Sequence, residues 1–171
     1  MSQPHRLQSG GRVNRDRPLI FTFNGRSLQG FEGDTLASAL LANGIHLVGR
    51  SFKLHRPRGI MGVGAECPNS LVQVGSGNAT IPNLRATQTE LYHGMEASSV
   101  NCWPSVRFDV SAINGLFAPL LPAGFYYKTF MWPKSFWHNI YEPRIRKSAG
   151  FGKAPTGPDP DRYDKKNVHT D

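Results

Sequence analysis

Cysteine is scarce in this sequence, which has Cys67 and Cys102 as its two cysteines among 171 residues. Two thiols far apart in the chain exclude the dense disulfide framework of a small secreted domain. The six histidines lack the spacing of zinc ligands, and no nucleophile-elbow sequence surrounds a serine. We therefore expect no metal site and no catalytic residue in this chain. We also expect both thiols to be buried and inert rather than reactive toward oxidants.

Long apolar runs are also missing. No stretch approaches the roughly 18 consecutive apolar residues of a membrane span, and the polar, basic N-terminus is unlike a secretory signal. Hydrophobic residues make up 39% of the chain, while Gly (18) and Pro (13) are frequent. This composition is typical of a loop-rich fold with little helix. We expect a cytoplasmic protein without a membrane partner.

Acidic charge is in short supply, with 12 Asp and Glu against 20 Lys and Arg and a formal net charge of +8. Such an excess permits binding to nucleic acid, to an anionic cofactor or to an acidic subunit. Residues 1–17 are predicted to be a flexible basic arm. The aromatic-rich segment 117–141 lacks the regular Lys/Arg interleaving of a base-stacking surface. A basic nucleic-acid-binding domain is therefore the less favoured alternative.

Residues 18–97 predict an α+β domain of the β-grasp type. Asn24-Gly25 is the strongest short hairpin signal, because both residues tolerate positive φ, and it predicts strands near 18–23 and 26–31. A short helix should follow, with Asp34 as its N-cap and Gly44 after its last turn. Its apolar stripe should pack on the hairpin and consists of Leu36, Leu40 and Leu41.

Later strands are expected at 71–74 and 85–92, with residues 75–83 as the turn between them. Residues 98–149 are predicted to be an irregular aromatic packing arm, and residues 150–171 read as a linker. One short helix inside the arm should open at Pro133. Pro143 should end or kink it. The buried stripe of that helix is predicted to be Phe136, Trp137, Ile140 and Tyr141.

The Gly-rich stretch "GIMGVGAECPNSLVQVG", residues 59–75, has the turns of an iron–sulfur loop. A plant-type 2Fe–2S domain ligates its cluster with C-x₄-C-x₂-C spacing and a distant fourth cysteine. With Cys67 as the second ligand, the first position falls on Gly62 and the third on Ser70. Glycine cannot ligate iron and serine does so only occasionally, so this spacing predicts a loop without a cluster.

Several long strings resemble the α-subunit family of heterotetrameric sarcosine oxidases. They are "GDTLASALLANGIHLVGRSFKLHRPRGI", "PNSLVQVG", "LPAGFYYKTFMWP" and "PDPDRYDKKN", and together they span nearly the whole chain. The first portion is also similar to the ferredoxin-like domain of a wider amine-oxidising family that includes hydrogen cyanide synthase and dye-linked proline dehydrogenase subunits. "IPNLRATQ" resembles the place where relatives carry the fourth cysteine, which makes Thr87 the fourth vestigial position.

The resemblance implies a complex that oxidatively demethylates sarcosine to glycine, with tetrahydrofolate and O₂, giving H₂O₂. It implies FAD, FMN, NAD and tetrahydrofolate as cofactors of the complex, with none held by this chain. The implied partners are the remainder of the α subunit and the β, γ and δ subunits. No G-x-G-x-x-G opens a helix here, so we expect a fragment that stops before the dinucleotide-binding domain and is inactive alone.

The string "KLHRPRG" supplies the candidates for contact with a flavin phosphate or an acidic subunit surface, because Arg binds phosphate and carboxylate through a fork of N–H donors. These candidates are Lys53, His55, Arg56 and Arg58. A solvated basic loop is the alternative interpretation of the same residues. At the level of the whole chain, the other open alternative is a 2Fe–2S electron-transfer subunit of a related amine dehydrogenase or hydrogen cyanide synthase.

Overall fold

A five-stranded mixed sheet is the centre of the fold in the computed structural model, which describes residues 3–120, 123–124, 132–148 and 155–166. The strand order is β2-β1-β7-β5-β6; β1 and β7 run parallel, and the other neighbours are antiparallel. The strands of this sheet are β1 (Asn14–Phe23), β2 (Arg26–Glu32), β5 (Leu71–Val74), β6 (Ile81–Arg85) and β7 (Glu96–Ser99). A separate two-stranded ribbon pairs β3 (Gly49–Arg50) with β4 (Pro57–Arg58).

The first hairpin forms as predicted. Asn24 and Gly25 have φ values of 50° and 75°, the left-handed pair that a two-residue hairpin turn requires. Strand β1, however, begins at Asn14, which pairs with Glu32 across a register shift that ends at Pro18. A proline has no N–H to give to the ladder, so the strand is irregular there rather than absent. Residues 14–17 of the predicted arm therefore belong to a strand.

Helix α1 (Leu36–Ala42) has Thr35 as its N-cap, so the prediction of Asp34 is wrong. The Thr35 side chain accepts a hydrogen bond from Ser38 N at 3.2 Å, and Ser38 Oγ accepts one from Thr35 N at 3.0 Å. This reciprocal pair is a capping box. Asp34 is displaced from the role because its buried carboxylate accepts from Phe31 N and Ser38 Oγ instead. Gly44 has a φ of 74° just beyond the helix, as predicted.

The core lies between α1 and the sheet. Leu36 and Leu40 of the predicted helical stripe are fully buried, whereas Leu41 is half-buried. They pack into one cluster with side chains from β1, β2, β5 and β7 and from the loops around them. The other large members of that cluster are Phe21, Phe23, Leu28, Val48, Val72, Val74, Leu91 and Met95. This arrangement of one helix on a mixed sheet confirms the predicted α+β class.

The strand predicted over 85–92 is wrong. Strand β6 instead occupies Ile81–Arg85, so it begins inside the expected turn and ends at the first residue of the predicted strand. The chain leaves the sheet after Arg85 because Gln88 and Thr89 both donate their backbone N–H groups to the Arg85 carbonyl. Residues 86–95 are then a connection that returns the chain to β7.

The later part of the chain holds a 3₁₀ helix over Val110–Leu120 and a π-helical turn, Trp137–Tyr141, that continues into α2 (Glu142–Ser148). Phe136 and Ile140 are each at least 40% exposed, so the predicted stripe is not buried within the described residues. Pro143 is the second residue of α2, which continues to Ser148, so it does not end the helix. Part of the predicted arm and linker, including residues 125–131, lies outside the described residues.

Within the part of the chain that the structure describes, none of the helices has the length and apolar character needed to cross a membrane.

Candidate functional site

The Gly-rich 59–70 loop joins the β3–β4 ribbon to β5 through a single 3₁₀ turn, Gly64–Glu66. Gly64 has a φ of 55°, which favours glycine at the tightest point of the turn. Two side chains, one at the end of β6 and one just beyond it, close the loop from outside. Thr87 Oγ1 donates to the Gly64 carbonyl at 2.7 Å, and Arg85 Nη1 donates to the Ala65 carbonyl at 2.9 Å. The loop is therefore tied to the sheet by hydrogen bonds.

The structure brings the four vestigial cluster positions together around this turn. Cys67 and Ser70 are 0% exposed and Thr87 is 7% exposed. A Cβ atom placed on Gly62 would lie 3.5 Å from Cys67 N. The Ala86 N–H, next to Thr87, donates to the Ser70 carbonyl at 2.8 Å. The three positions given by the ligand spacing and Thr87, which the family resemblance supplied, thus lie around one turn. That they are vestigial ligand positions stays a prediction.

The Cys67 thiol sits among backbone N–H groups. Met61 N donates to its sulfur at 3.5 Å. Burial opposes ionisation of this thiol, but the Ser70 hydroxyl and the N–H groups of Met61, Asn69 and Gly62 favour the thiolate and lower the pKa of Cys67 to about 6. The other thiol behaves differently, because burial and the nearby Asp109 carboxylate raise the pKa of Cys102.

Ser70 carries an orphaned polar atom. Its Oγ is buried and has no hydrogen bond of ordinary geometry among the described residues. The hydroxyl is near enough to the Cys67 sulfur to stabilise the thiolate, yet it is not satisfied by it. A buried hydroxyl without a hydrogen-bond partner lowers the free energy of unfolding by about 1–3 kcal/mol. Ser70 Oγ is therefore a candidate for contact with a group other than a side chain of this chain.

The donor set of the 59–70 loop does not fit a 2Fe–2S cluster, which needs four ligands. Cys67 offers one thiolate and Ser70 one free oxygen. Gly62 offers no side-chain donor, and the Thr87 hydroxyl already donates its proton to a carbonyl. No group of three or more His, Cys, Asp and Glu side chains suited to a metal ion occurs among the described residues.

The predicted basic candidates split into two groups. Arg56 is exposed, and Lys53 and Arg58 are half-buried. His55 instead turns inward, with 5% exposure, and its Nδ1 lies 2.7 Å from Asp109 Oδ2. Contact of these four residues with a flavin or a subunit stays a prediction. His55 already has a structural contact, because its ring faces the Asp109 carboxylate.

Asp109 is the residue that sequence reasoning missed. Its carboxylate side chain is fully buried. Besides facing His55, it accepts hydrogen bonds from Trp103 N at 3.1 Å and Ser111 N at 3.2 Å through Oδ1. In the sequence, an Asp two residues before Ser111 is typical of a turn closed by the Asp side chain. This spacing is the one signal that could have identified Asp109 from the sequence. Asp109 therefore joins the KLHRPRG segment, through His55, to the start of the aromatic arm, through Trp103.

Arg50 makes a second bridge between the same two segments. Its guanidinium donates to the carbonyls of Val106 at 2.8 Å, His55 at 3.1 Å and Arg107 at 3.1 Å. Beside it, between the β3–β4 ribbon and the 59–70 loop, is a cavity of about 230 Å³. Its lining includes Arg50, Phe52, Arg58, Asn69, Asn83 and Asn101. Pro68, Leu71 and Val100 line it too, so the lining combines cationic, polar and apolar side chains.

The two thiols should titrate in separate steps. We expect the thiolate absorbance of the native chain to rise first near pH 6, from Cys67, and again above pH 9, from Cys102. Because folding lowers the pKa of Cys67, the folded state binds fewer protons than the unfolded state between about pH 6 and the ordinary thiol pKa of 9.0, and stability should rise with pH across that window. Cys67→Ser should remove the first step alone, and a first step that survives this substitution would contradict the assignment.

The 2Fe-2S iron-sulfur cluster binding domain family has a model that matches residues 16–102 of the chain. Three similar proteins are each called sarcosine oxidase subunit alpha. That of Rhizobium meliloti (strain 1021) is 61% identical over 167 residues, which are 98% of this chain and 17% of the relative. That of Corynebacterium sp. (strain U-96) is 44% identical over 105 residues, which are 57% of this chain and 11% of the relative.

The third relative, from Corynebacterium sp. (strain P-1), is 46% identical over 71 residues, 42% of this chain and 7% of its own length. The chain thus spans under a fifth of the length of each relative that it matches. Among solved structures, the crystal structure of L-proline dehydrogenase from P. horikoshii overlaps 50% of this chain and 16% of its own, with 27% identity and a TM-score of 0.39.

Proposed function

The chain belongs to the 2Fe-2S iron-sulfur cluster binding domain family, and from that premise we propose that it acts as a cluster-free domain of a sarcosine oxidase alpha subunit. The observation that carries the proposal is the 61% identity to the Rhizobium meliloti subunit, which extends over 98% of this chain. It confirms the resemblance predicted from the sequence strings. The mixed sheet with few helices and the family match also confirm a ferredoxin-like α+β domain.

The proposed activity belongs to the whole complex. In it, sarcosine is oxidatively demethylated to glycine with tetrahydrofolate and O₂, and H₂O₂ is released. FAD, FMN, NAD and tetrahydrofolate would be held outside this chain, and the complex would be cytoplasmic. The 59–70 loop supports a structural role, because electron transfer through this domain would need a cluster for which the loop lacks ligands.

An exposed apolar stripe supports a role in subunit contact. Val110, Ile113 and Leu116 recur every third residue along the 3₁₀ helix, a spacing that aligns side chains on one edge. They are 47%, 56% and 78% exposed. Phe117 and, before the helix, Phe108 are exposed beside them in sequence. Clustered apolar exposure of this kind marks a surface that another protein covers.

The charge of the chain indicates what that partner offers. The net charge is +8, and Arg107 lies in the segment before the stripe. A partner with an apolar patch and an acidic rim would match both features, since complementary charge steers association and suppresses wrong partners. We assign the partner to the remainder of the alpha subunit or to the β, γ and δ subunits. The aromatic arm 98–149 would supply the packing surface.

Replacement of Leu116 by glutamate tests this role. The protein to use is the Rhizobium meliloti enzyme whose alpha subunit carries this chain in place of its 167 matched residues. We expect Leu116→Glu to lower recovery of the assembled enzyme about tenfold or more, because a charge replaces an apolar contact at the interface centre. Recovery is measured as the amount of the other subunits that co-purify with a tagged alpha subunit.

Leu7→Glu is the matched control, since Leu7 is 80% exposed and lies far from the stripe in sequence. It should leave assembly unchanged. Equal recovery of the Leu116→Glu, Leu7→Glu and unsubstituted proteins would contradict the assignment of the stripe to a subunit contact.

A further inference from the structure

A cavity of about 350 Å³ lies at the turn end of the first hairpin. It is lined by the hairpin turn, by the loop after α1 and by residues from the 99–107 segment, so it is distinct from the 59–70 loop. Small-molecule sites are typically clefts of about 300–1,000 Å³ with a mainly apolar lining and a few polar groups. This hairpin cavity is therefore large enough to hold a small ligand.

Apolar side chains form one part of the lining of the hairpin cavity. They are Phe23, Ile45, Leu47, Pro104 and Val106. Phe23 belongs to the buried core, whereas the other four are at least partly exposed. Covering apolar surface of this kind is favourable, because it removes the surface from water. The lining therefore suits a ligand with an apolar body.

Two exposed arginines line the same cavity without a counter-charge. Arg26 opens β2, and Arg107 lies in the segment before the apolar stripe. Neither guanidinium has an ion pair or a hydrogen bond within the part of the chain that the structure describes. The described lining contains no Asp or Glu, while His46 adds a further polar ring. Because the guanidinium fork matches the two oxygens of a carboxylate, a carboxylate is the anion that these arginines suit.

Hydrogen bonds hold the walls of the hairpin cavity in place. Asn24 Nδ2 donates to Ser99 Oγ at 2.9 Å, and Ser99 N donates to Asn24 Oδ1 at 2.8 Å, which joins the hairpin turn to β7. Arg50 donates to the carbonyls of Val106 and Arg107, which hold another wall. Walls that are fixed before binding lose little conformational entropy when a ligand arrives.

We propose that the hairpin cavity is a binding site for a carboxylate carried on an apolar body. The guanidinium groups of Arg26 and Arg107 bind the carboxylate, and the apolar lining covers the body. A free aliphatic acid offers this chemistry, and so does an Asp or Glu side chain beside an apolar one on another subunit. Experiments on the free chain and on the assembled enzyme distinguish these two sources.

Cys102 lines the hairpin cavity, so its alkylation reports whether the cavity is occupied. Because burial and the Asp109 carboxylate raise the pKa of Cys102, the reaction with iodoacetamide is followed at about pH 9.5, by peptide mapping of the native chain. We expect octanoate to slow the reaction about fivefold once its concentration is about four times its dissociation constant, since an occupied cavity excludes the reagent. Isothermal titration calorimetry measures that constant independently.

Two further probes separate charge from apolar surface. Octanamide has the same chain without the charge, and acetate has the charge without the apolar body. Neither should slow alkylation of Cys102 at the concentration at which octanoate does. Equal protection by octanoate and octanamide would overturn the proposal, and so would octanoate that neither protects Cys102 nor gives a binding heat.

Removal of the two charges tests the role of the arginines. Arg26→Gln/Arg107→Gln should weaken octanoate binding about tenfold, because two charged donors to the carboxylate become neutral. Both positions are exposed, so the circular dichroism spectrum should stay native. Arg12→Gln/Arg162→Gln removes the same charge from exposed positions outside the cavity and is the matched control. Equal octanoate affinities of the two folded variants would overturn the proposal.

The source of the carboxylate is assigned with the Rhizobium meliloti enzyme that carries this chain in place of its 167 matched residues, and this arm alone rests on the proposed function. A subunit carboxylate should protect Cys102 without octanoate, and Arg26→Gln/Arg107→Gln should remove that protection. A free acid should protect Cys102 only when octanoate is added. Protection without octanoate that both enzymes share would overturn the proposal. If the enzyme does not assemble, the proposed function fails, while the titration of the free chain still decides this proposal.

Discussion

Arg6→Ala will lower the free energy of unfolding by about 3 kcal/mol, near the lower end of the ~3–5 kcal/mol typical when one partner of a buried ion pair is removed. Arg6 Nη2 donates to Asp34 Oδ2 at 2.6 Å and Nη1 to Oδ1 at 3.2 Å. The Asp34 side chain is 0% exposed. Its carboxylate would keep its hydrogen bonds from Phe31 N and Ser38 Oγ, which places the loss at that lower end.

Arg6 also covers part of the core, because its guanidinium carbon lies 5.1 Å from the centroid of the Phe31 ring. Denaturant unfolding of the native and Arg6→Ala proteins measures the loss. Arg12→Ala is the matched control, since Arg12 is an exposed arginine of the same arm. It should change stability by less than about 0.5 kcal/mol, as surface substitutions usually do. Equal stabilities of the Arg6→Ala and Arg12→Ala proteins would contradict the docking of the arm.

Asp109→Ala will lower the free energy of unfolding by about 2–4 kcal/mol, because it leaves the buried His55 ring and two backbone N–H groups without their acceptor. The groups affected are His55 Nδ1 and the backbone N–H groups of Trp103 and Ser111. The larger consequence should be local: limited proteolysis should cut between residues 103 and 120 faster than in the native chain. Assembly with partner subunits should weaken with it, because the apolar stripe begins at Val110.

Asp109→Asn keeps the shape of the side chain but removes its charge and one of its two acceptor oxygens. The amide keeps one oxygen that can accept the two backbone N–H groups, so it should lose roughly half as much stability as Asp109→Ala. Asp16→Ala, at an exposed position, should have almost no effect. Unchanged proteolysis of residues 103–120 in Asp109→Ala would show that Asp109 does not anchor this segment.

Local signals predicted the parts of the fold that local chemistry decides. Asn24-Gly25 defines its hairpin because the two residues adopt positive φ, and Gly44 marks the end of α1 for the same reason. The β5 strand matches its predicted range, Leu71–Val74, since its alternating buried residues are visible as a pattern.

Long-range pairing explains the errors. Asp34 is a good N-cap residue by type, but its partner Arg6 lies 28 residues earlier, and no pattern in the sequence links them. His55 was grouped with its basic neighbours, although it is buried against Asp109, which lies 54 residues later in the chain. The shift of β6 to Ile81–Arg85 is the exception: it depends on a local turn closed by backbone bonds to Arg85, which side-chain types do not reveal.

The 59–70 loop shows how much of a site can be inferred without its ligand. Ligand spacing selected Gly62, Cys67 and Ser70, and the structure places them near one another at the turn of the backbone. Their role as vestigial ligand positions stays a prediction. The hydrogen bond from Thr87 to Gly64 and the orphaned Ser70 hydroxyl depend on three-dimensional contacts and were visible only in the structure.

The most direct test of this account is sarcosine-dependent peroxide formation by the Rhizobium meliloti enzyme that carries this chain in place of its 167 matched alpha-subunit residues. The rate should be measured before and after iron and sulfide reconstitution. The account predicts turnover comparable to the parent enzyme, with a rate that reconstitution does not change. An assembled enzyme without turnover, or a rate that rises on reconstitution, would contradict the assignment of a cluster-free structural domain.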